Sequence, residues 1–446
     1  MVYIRETDCQ MKQIRIKDNE LNKRSMFSDI PGIINAVSDK SLEQLEKDGI
    51  FVFPELLKGA DDLTREQIIL QSINDCYRSS NVMGFLGCGD ERLIISSRFS
   101  NDNNDFFFQY MLEKVMDCPN LISMKTDSSR DDKIQPVLLF LFPTYLKQAI
   151  RKGIFKTYVH KEYNDDDVKG VIDIDRHIRK NIPFTGKIAY NQREFTYNNY
   201  LIQLIRHTIE YIKRKPYGRS VLSKVQDEVK LIVDATPDYH TKDLRKVIIE
   251  NKKCVVRHTY FHEYQKLQKL CLLILHNENP QIGYGVKKVF GILFDGAWLW
   301  EEYIAQLIGE DFYHPMNKSG KGAQWLFSGN GLVYPDFIGK NSKIRIIADA
   351  KYKPEDNICN KDYLQVLAYM FRFDSKKGYY FYPEPQNIDD RVFRLNSGIS
   401  YEDNVKPRDD IYVIKHGLRI PGKSFSYDDF VADMLVNEAD FVNGLV

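Results

Sequence analysis

No stretch of this 446-residue chain is apolar and uncharged for long enough to span a bilayer. The most apolar run, VLLFLFPTYL at 137–146, is broken by Pro143. The first ten residues, MVYIRETDCQ, place no apolar core behind their charges, so a secretory signal is not expected there. No membrane association and a cytoplasmic location are the resulting expectations. The seven cysteines, at 9, 76, 88, 118, 254, 271 and 359, contain no CxxC pair. An odd, scattered set reads as reduced intracellular thiols and argues against a disulfide framework. No G-x-x-x-x-G-K-[ST] is present, so the chain carries no P-loop of its own. Ser319-Gly320-Lys321-Gly322 reads only as a flexible, charged turn. There is no internal repeat and no low-complexity tract, which sets aside solenoids and polar arrays. Charge of one sign is also missing. Lys and Arg number 63 against 62 Asp and Glu, for a net charge of +1, so global charge excludes no partner.

What is present is an ordinary globular composition, 43% apolar and 28% charged, long enough for two to three domains. The 27 Tyr and 26 Phe favour well-filled cores over long disorder. Charge is uneven locally: residues 147–260 hold 24 Lys or Arg against 14 Asp or Glu. Such a basic middle suits phosphate contact, and it equally suits a solvated helix face. Cys254, His258 and His262 recur every four residues. On a helix they would share a face and resemble zinc ligands, but no fourth ligand is in sight. The plainer reading is an amphipathic helix carrying two His beside Tyr260 and Tyr264.

Periodicity divides the chain into three parts. In the first, 1–135, GIFVFPELL (49–57) reads as strand then turn, and LTREQIILQSINDCY (63–77) as an amphipathic helix. Residues 82–99 read as a hairpin and 104–116 as a helix, with a polar linker at 123–135. The second part, 136–284, is mostly helical and basic, with helices expected at 137–152, after Tyr197, at 219–235 and at 259–277. The boundary falls at 280–290, where NENPQIGYG is rich in turn residues. The third part, 285–446, is mixed α/β. Strands are expected at 324–328, 332–338, 344–352, 378–384 and 411–421, and helices at 294–308 and 362–373. The fold class expected is α+β, with a mixed N-terminal region, a helical middle and a C-terminal α/β domain.

The chemistry concentrates in VYPDFIGKNSKIRIIADAKYK, 333–353. Side chains alternate faces along a strand. In IRIIADAKY, Asp349 and Lys351 therefore share a face with Ile347, and Asp336 closes the preceding strand. Two carboxylates beside an ammonium make a site for a divalent cation such as Mg²⁺, which takes carboxylate oxygens and keeps several waters. That ion could polarise a phosphoryl oxygen, and the lysine could neutralise developing charge. A plain Asp349–Lys351 salt bridge is the competing reading. Gln365 and Tyr369 follow at helical i, i+4 spacing. Glu301 and Glu302 lie on an upstream helix, where a third carboxylate would be useful.

These residues resemble the PD-(D/E)xK nuclease superfamily: Pro335-Asp336, then Asp349-Ala350-Lys351. Gln365-x-x-x-Tyr369 resembles the QxxxY element of its RecB-like branch. The middle of the chain resembles the McrC family, nuclease subunits of modification-linked restriction systems, most closely the LlaJI-type branch. VKGVIDIDRHIR (168–179), Gly186-Lys187-Ile188-Ala189-Tyr190, Arg193-Glu194-Phe195-Thr196-Tyr197-Asn198-Asn199 and QLIRHTIEYI (203–212) carry that likeness. Phe294-Asp295 and Leu299-Trp300-Glu301 resemble the helix before the catalytic core, with Trp300 where Phe is more usual. The likeness covers about 160–385, and residues 1–70 are not matched.

The resemblance implies a Mg²⁺-dependent DNA endonuclease, with Mn²⁺ as a possible substitute, in a restriction-endonuclease-like domain. It implies metal binding by Asp336 and Asp349, and catalytic roles for Lys351, Glu301 and Gln365. Tyr369 would touch DNA or orient the site. The implied partners are double-stranded DNA and a hexameric McrB-like AAA+ GTPase or ATPase, on which the N-terminal half would dock as an adaptor. The implied setting is an antiphage restriction system. A stand-alone RecB-like repair nuclease and a non-catalytic DNA- or NTPase-binding adaptor are the alternatives.

Overall fold

The computed structural model describes residues 12–48, 50–53, 67–100, 105–115, 134–215, 218–256, 258–278, 289–315, 322–386, 388–398, 405–422 and 424–445. The chain packs into two compact units, one built from 1–120 and 286–446, the other from 121–285. The second lies close to the expected helical middle, 136–284. The first corrects the sequence division, because 1–135 and 285–446 do not form separate bodies.

The reason is a strand exchange. A five-stranded sheet runs in the order Lys12–Lys17, Glu91–Ser96, Val82–Cys88, Phe290–Asp295, Ile50–Phe53. Phe290–Asp295 comes from the C-terminal half, yet it pairs antiparallel with Val82–Cys88 and parallel with Ile50–Phe53. A fragment ending near residue 280 would therefore lose an interior strand. Gly84 lets the two backbones meet: a Cβ there would lie 2.1 Å from the Ile292 carbonyl oxygen. The core under this sheet gathers Ile33, Val37, Leu45, Leu70, Leu86, Leu93 and Leu293. The expected helix over 63–77 is instead, in its described part, two short strands, Leu70–Ile73 and Cys76–Ser79, turning at Asn74 with φ of 49°.

The second sheet of this unit has six strands, ordered Phe312–Tyr313, Phe337–Gly339, Ile346–Ala350, Lys377–Glu384, Lys406–Arg419, Arg391–Ser397. Ile346–Ala350 is central, antiparallel to Phe337–Gly339 and parallel to Lys377–Glu384. Tyr380 and Tyr382 pack with Val366, Tyr369 and Met370 of the helix Asn360–Arg372. Tyr379 and Phe381 point the other way, where Phe441 of the helix Tyr427–Asn443 meets Phe381 at 5.3 Å. The helix Gly296–Ile308 also packs on this side, and Trp300 Nε1 donates to the Phe381 carbonyl at 3.0 Å. The Glu438 carboxylate accepts from Tyr110 and Tyr303 hydroxyls at 2.8 and 2.6 Å, joining three helices.

The second unit holds the sheet Thr157–Asp165, Ile188–Thr196, Val171–Ile172 and, among its described residues, seven α-helices. Asn199 starts the helix Tyr200–Lys213 by accepting from the Leu201 and Ile202 N–H groups, as an N-cap should. The helix expected at 137–152 is Ile134–Ile150, and it runs through Pro143. The helix Leu244–Lys253 was not anticipated. Cys254 caps that helix, and the helix His262–Glu278 starts only at His262, so the Cys254, His258 and His262 pattern is not one helical face. Among the described residues of the whole chain, no helix is long and apolar enough to cross a membrane.

His207 is buried in this unit, 4.7 Å from the Tyr239 ring, and its Nε2 has no hydrogen-bond partner. Burial pushes its pKa down from 6.5 to about 4. The folded state thus holds a neutral ring that the unfolded chain protonates below about pH 6.5. Its stability contribution is present above that pH and is lost as pH falls toward 4. Melting followed from pH 7 to 4 should show a loss of roughly 3 kcal/mol from this group. His207→Phe should flatten that part of the profile, and an unchanged profile would remove His207 as its source.

Candidate active site

The strand Ile346–Ala350 places its residues as alternation requires. Asp349 stands opposite Tyr380 in register and on the face covered by the helix Asn360–Arg372. Asp336 sits just before Phe337, which pairs with Ala348. One oxygen of Asp336 accepts from the Ala350 N–H at 2.8 Å, fixing this carboxylate beside the end of the central strand. Lys351 continues the strand, its N–H donating to the Phe381 carbonyl at 2.8 Å. Its ammonium lies 2.7 Å from Asp349 Oδ2, 3.7 Å from Asp362 Oδ1 and 3.2 Å from Gln365 Oε1. Gln365 in turn donates to the Tyr369 hydroxyl at 2.7 Å, and that hydroxyl donates to the Tyr334 carbonyl at 3.3 Å. Gln365 and Tyr369 therefore hold the lysine and the chain segment that leads into Asp336.

The electrostatics are those of crowded carboxylates. Burial, followed by the charges of Glu301 and Asp349, pushes Asp336 well above the ordinary carboxylate range, against the pull of Lys351 and the Ala350 N–H. Burial also raises Asp349, with Lys351 partly offsetting it. For Lys351 burial disfavours the charge, but Asp349 and Asp336 outweigh it and hold the ammonium above the usual lysine value. Lys351 is thus firmly protonated in this arrangement. It can donate hydrogen bonds and neutralise charge, but it is poorly placed to accept a proton.

Glu301 lies buried on the helix Gly296–Ile308 and reaches Asp336 through its charge. Between them stands His314, a residue without a sequence signal. Its Nδ1 bonds the Asp336 main-chain oxygen at 3.0 Å, and its Nε2 lies 3.8 Å from Glu301 and 3.7 Å from Glu302. Burial alone would lower its pKa. The bonds to Glu302 and the Asp336 carbonyl, with the two glutamate charges, reverse this and raise it. Asp362 was also missed. It accepts from the Cys359 N–H at 3.0 Å as part of a capping box and pairs with Lys353 at 2.6 Å. Its signal was the Cys359-x-x-Asp362 spacing, hidden because Cys is an unusual cap.

A divalent cation fits these residues. Asp349 is buried; its Oδ2 pairs with the Lys351 ammonium at 2.7 Å, and its Oδ1 has no hydrogen-bond partner. A buried carboxylate without satisfied lone pairs needs compensation. Among the described residues no three His, Cys, Asp or Glu side chains converge into a ready-made metal cage. Two carboxylates are nevertheless what Mg²⁺ commonly takes from protein, the rest being water and substrate phosphate oxygen.

Over residues 77–383 the sequence matches the family model described as McrBC 5-methylcytosine restriction system component. The chain belongs to this family. The family match spans both units and includes Asp336, Asp349, Lys351, Gln365 and Tyr369. Two solved structures are similar to it, both from Thermococcus gammatolerans. One is a refined half-complex from a tetradecameric assembly of McrB AAA+ hexamers with bound McrC, at 16% identity and a TM-score of 0.47, covering 98% of this chain and 100% of that one. The other is a cryo-EM structure of the McrBC complex, at 15% identity and a TM-score of 0.29, covering 68% of this chain and 90% of that one. No curated protein matches the chain.

Proposed function

We propose that this McrBC-family chain is a Mg²⁺-dependent DNA endonuclease that hydrolyses phosphodiesters when coupled to a AAA+ NTPase partner. One observation carries the reading: Asp336, just before the strand Phe337–Gly339, and Asp349, on the strand antiparallel to it, lie beside the Lys351 ammonium, with Asp349 Oδ1 lacking a hydrogen-bond partner. Asp336 and Asp349 would hold the ion, which when bound would polarise a phosphoryl oxygen and acidify water, with Mn²⁺ as a substitute. Lys351 donates to the reacting phosphate or the attacking water and neutralises charge that develops there. Gln365 orients Lys351, and Tyr369 orients Gln365. Glu301 adds negative potential beside Asp336. The absence of a P-loop in the sequence is consistent with a separate nucleotide-driven partner.

The test is a plasmid cleavage assay with Mg²⁺, using the full chain alone and together with an McrB-like AAA+ NTPase, with and without GTP or ATP. Cleavage that needs partner and nucleotide is the expected result. Cleavage by the chain alone would replace the coupled enzyme with a stand-alone nuclease. No cleavage beyond an Asp349→Asn control under any condition would leave a non-catalytic adaptor.

A further inference from the structure

Tyr352 directly follows Lys351, and its side chain points away from the carboxylates into the N-terminal sheet. It is almost fully buried. Its hydroxyl lies 2.7 Å from Ser97 Oγ and 3.2 Å from Met83 Sδ. The Phe99 ring meets its ring edge-on at 5.0 Å, and the Arg98 guanidinium stacks over it at 5.0 Å. Arg98 is itself clamped. It donates from Nε to Asp18 Oδ2 at 2.8 Å and from its main-chain N–H to Asp18 Oδ1 at 2.6 Å, and it bonds Asn81. Asp18 is buried at the end of the strand Lys12–Lys17. On the remaining side, a Cβ on Gly296 would lie 2.6 Å from the Tyr352 ring, so the ring lies directly against the first turn of the helix that carries Glu301.

We propose that Tyr352 is a positioning residue: the Asp18–Arg98–Ser97 clamp of the N-terminal sheet holds its ring, and thereby sets where Asp349 and Lys351 present their charges. Successive strand residues point to opposite faces, so a ring fixed on one face fixes the backbone that carries Lys351 on the other. Packed interiors transmit small displacements because they are dense. A misplacement of about 1 Å can cost on the order of 100-fold in rate. This also gives the N-terminal residues a task that the expected adaptor role did not include. Both arms rest on the reading above, the activity arm on DNA cleavage and the metal arm only on Mg²⁺ binding by Asp336 and Asp349.

The experiment uses the full chain with three substitutions. Gly296→Ala pushes on the ring, Tyr352→Leu removes it, and Tyr352→Phe keeps the ring but deletes the hydroxyl. The first readout is the rise in melting temperature on adding Mg²⁺ to chelator-treated protein. It should shrink in Gly296→Ala and Tyr352→Leu and be largely kept in Tyr352→Phe. The second is DNA cleavage with the AAA+ partner, where kcat should fall roughly 10- to 100-fold in the first two with KM for DNA unchanged. Folded Gly296→Ala and Tyr352→Leu proteins with the wild-type Mg²⁺ shift and the wild-type kcat would overturn the proposal. Should neither fold, Ser97→Ala carries the test through the hydroxyl contact alone, with a few-fold loss expected and no loss overturning it. A wild-type protein that shows the Mg²⁺ melting shift but cleaves no better than Asp349→Asn would sink the nuclease reading alone, with the shift deciding on Tyr352; a wild type without that shift would overturn both.

Discussion

Asp336→Asn is expected to abolish DNA cleavage while raising the melting temperature in metal-free buffer. The two effects share one cause. Asp336 sits against Glu301 and Asp349, and burial with their charges pushes its pKa well above 3.8. A carboxyl whose folded pKa is raised binds protons more tightly folded than unfolded. Its charge therefore costs stability, and that cost grows as pH rises from the unfolded value through the folded one. In chelator at pH 7.5 an amide removes the repulsion, and its oxygen can still accept from the Ala350 N–H that now bonds Asp336. The wild-type chain should also melt higher when mildly acidified in chelator, as far as this site decides it, and Asp336→Asn should blunt that response. With Mg²⁺ the order reverses: the wild type gains stability by binding, whereas the variant gains little. Loss of a charged ligand from a hard-cation site should cost at least about 100-fold in rate, on the scale of removing one preorganised electrostatic contact. Melting in chelator and in Mg²⁺, beside plasmid cleavage, checks all of this. A variant that melts lower in chelator, keeps the Mg²⁺ shift and cuts normally would remove Asp336 from the site.

The residues legible in the sequence are those whose placement is local. A strand alternates with period two, so Asp349 and Lys351 had to share a face, and they do. Gln365 and Tyr369 had to meet at i, i+4, and Gln365 donates to Tyr369. What the sequence hid is non-local. Nothing in GILFD (291–295) says that it will enter the N-terminal sheet beside Val82–Cys88, because strand order is set by tertiary packing. The same holds for Tyr352, which reads as one more apolar strand residue until Ser97, Arg98 and Gly296 surround it. Arg391–Ser397 was missed because it is a largely exposed edge strand, without apolar alternation, held by pairing to Lys406–Arg419. The misread helix at 63–77 had apolar residues at Ile68, Ile69, Leu70 and Ile73, a spacing that fits either period over so short a run. The Asn74-Asp75 turn decided it.

Lys351→Ala is expected to remove cleavage and, in metal-free buffer, to lower the melting temperature as well. An ammonium in an open cleft would leave stability nearly unchanged on its loss. The ammonium is instead mostly enclosed, with 18% side-chain exposure against 1% for its partner Asp349 at 2.7 Å. Breaking one side of a buried pair leaves an uncompensated carboxylate and costs roughly 3 to 5 kcal/mol. A fall in melting temperature alone therefore cannot separate a structural lysine from a catalytic one. Mg²⁺ separates them. A divalent cation at Asp336 and Asp349 supplies the positive charge the substitution removed, so the variant should gain more from Mg²⁺ than the wild type does, and its melting temperature should recover in large part. Cleavage should not recover with it, since the hydrogen-bond donor that faced the reacting phosphate is gone; the loss should stay at ~10² to 10³-fold. Lys351→Arg tests the same point from the other side. It keeps the charge but replaces a compact ammonium held by Gln365 with a larger planar fork, so it should hold stability better than Ala without restoring full rate. The measurement is melting and cleavage on the same preparations, with chelator and with Mg²⁺. If Mg²⁺ restored cleavage together with stability in Lys351→Ala, the lysine would be a counter-ion for Asp349 and nothing more, and the donor to the reacting phosphate would have to be sought elsewhere.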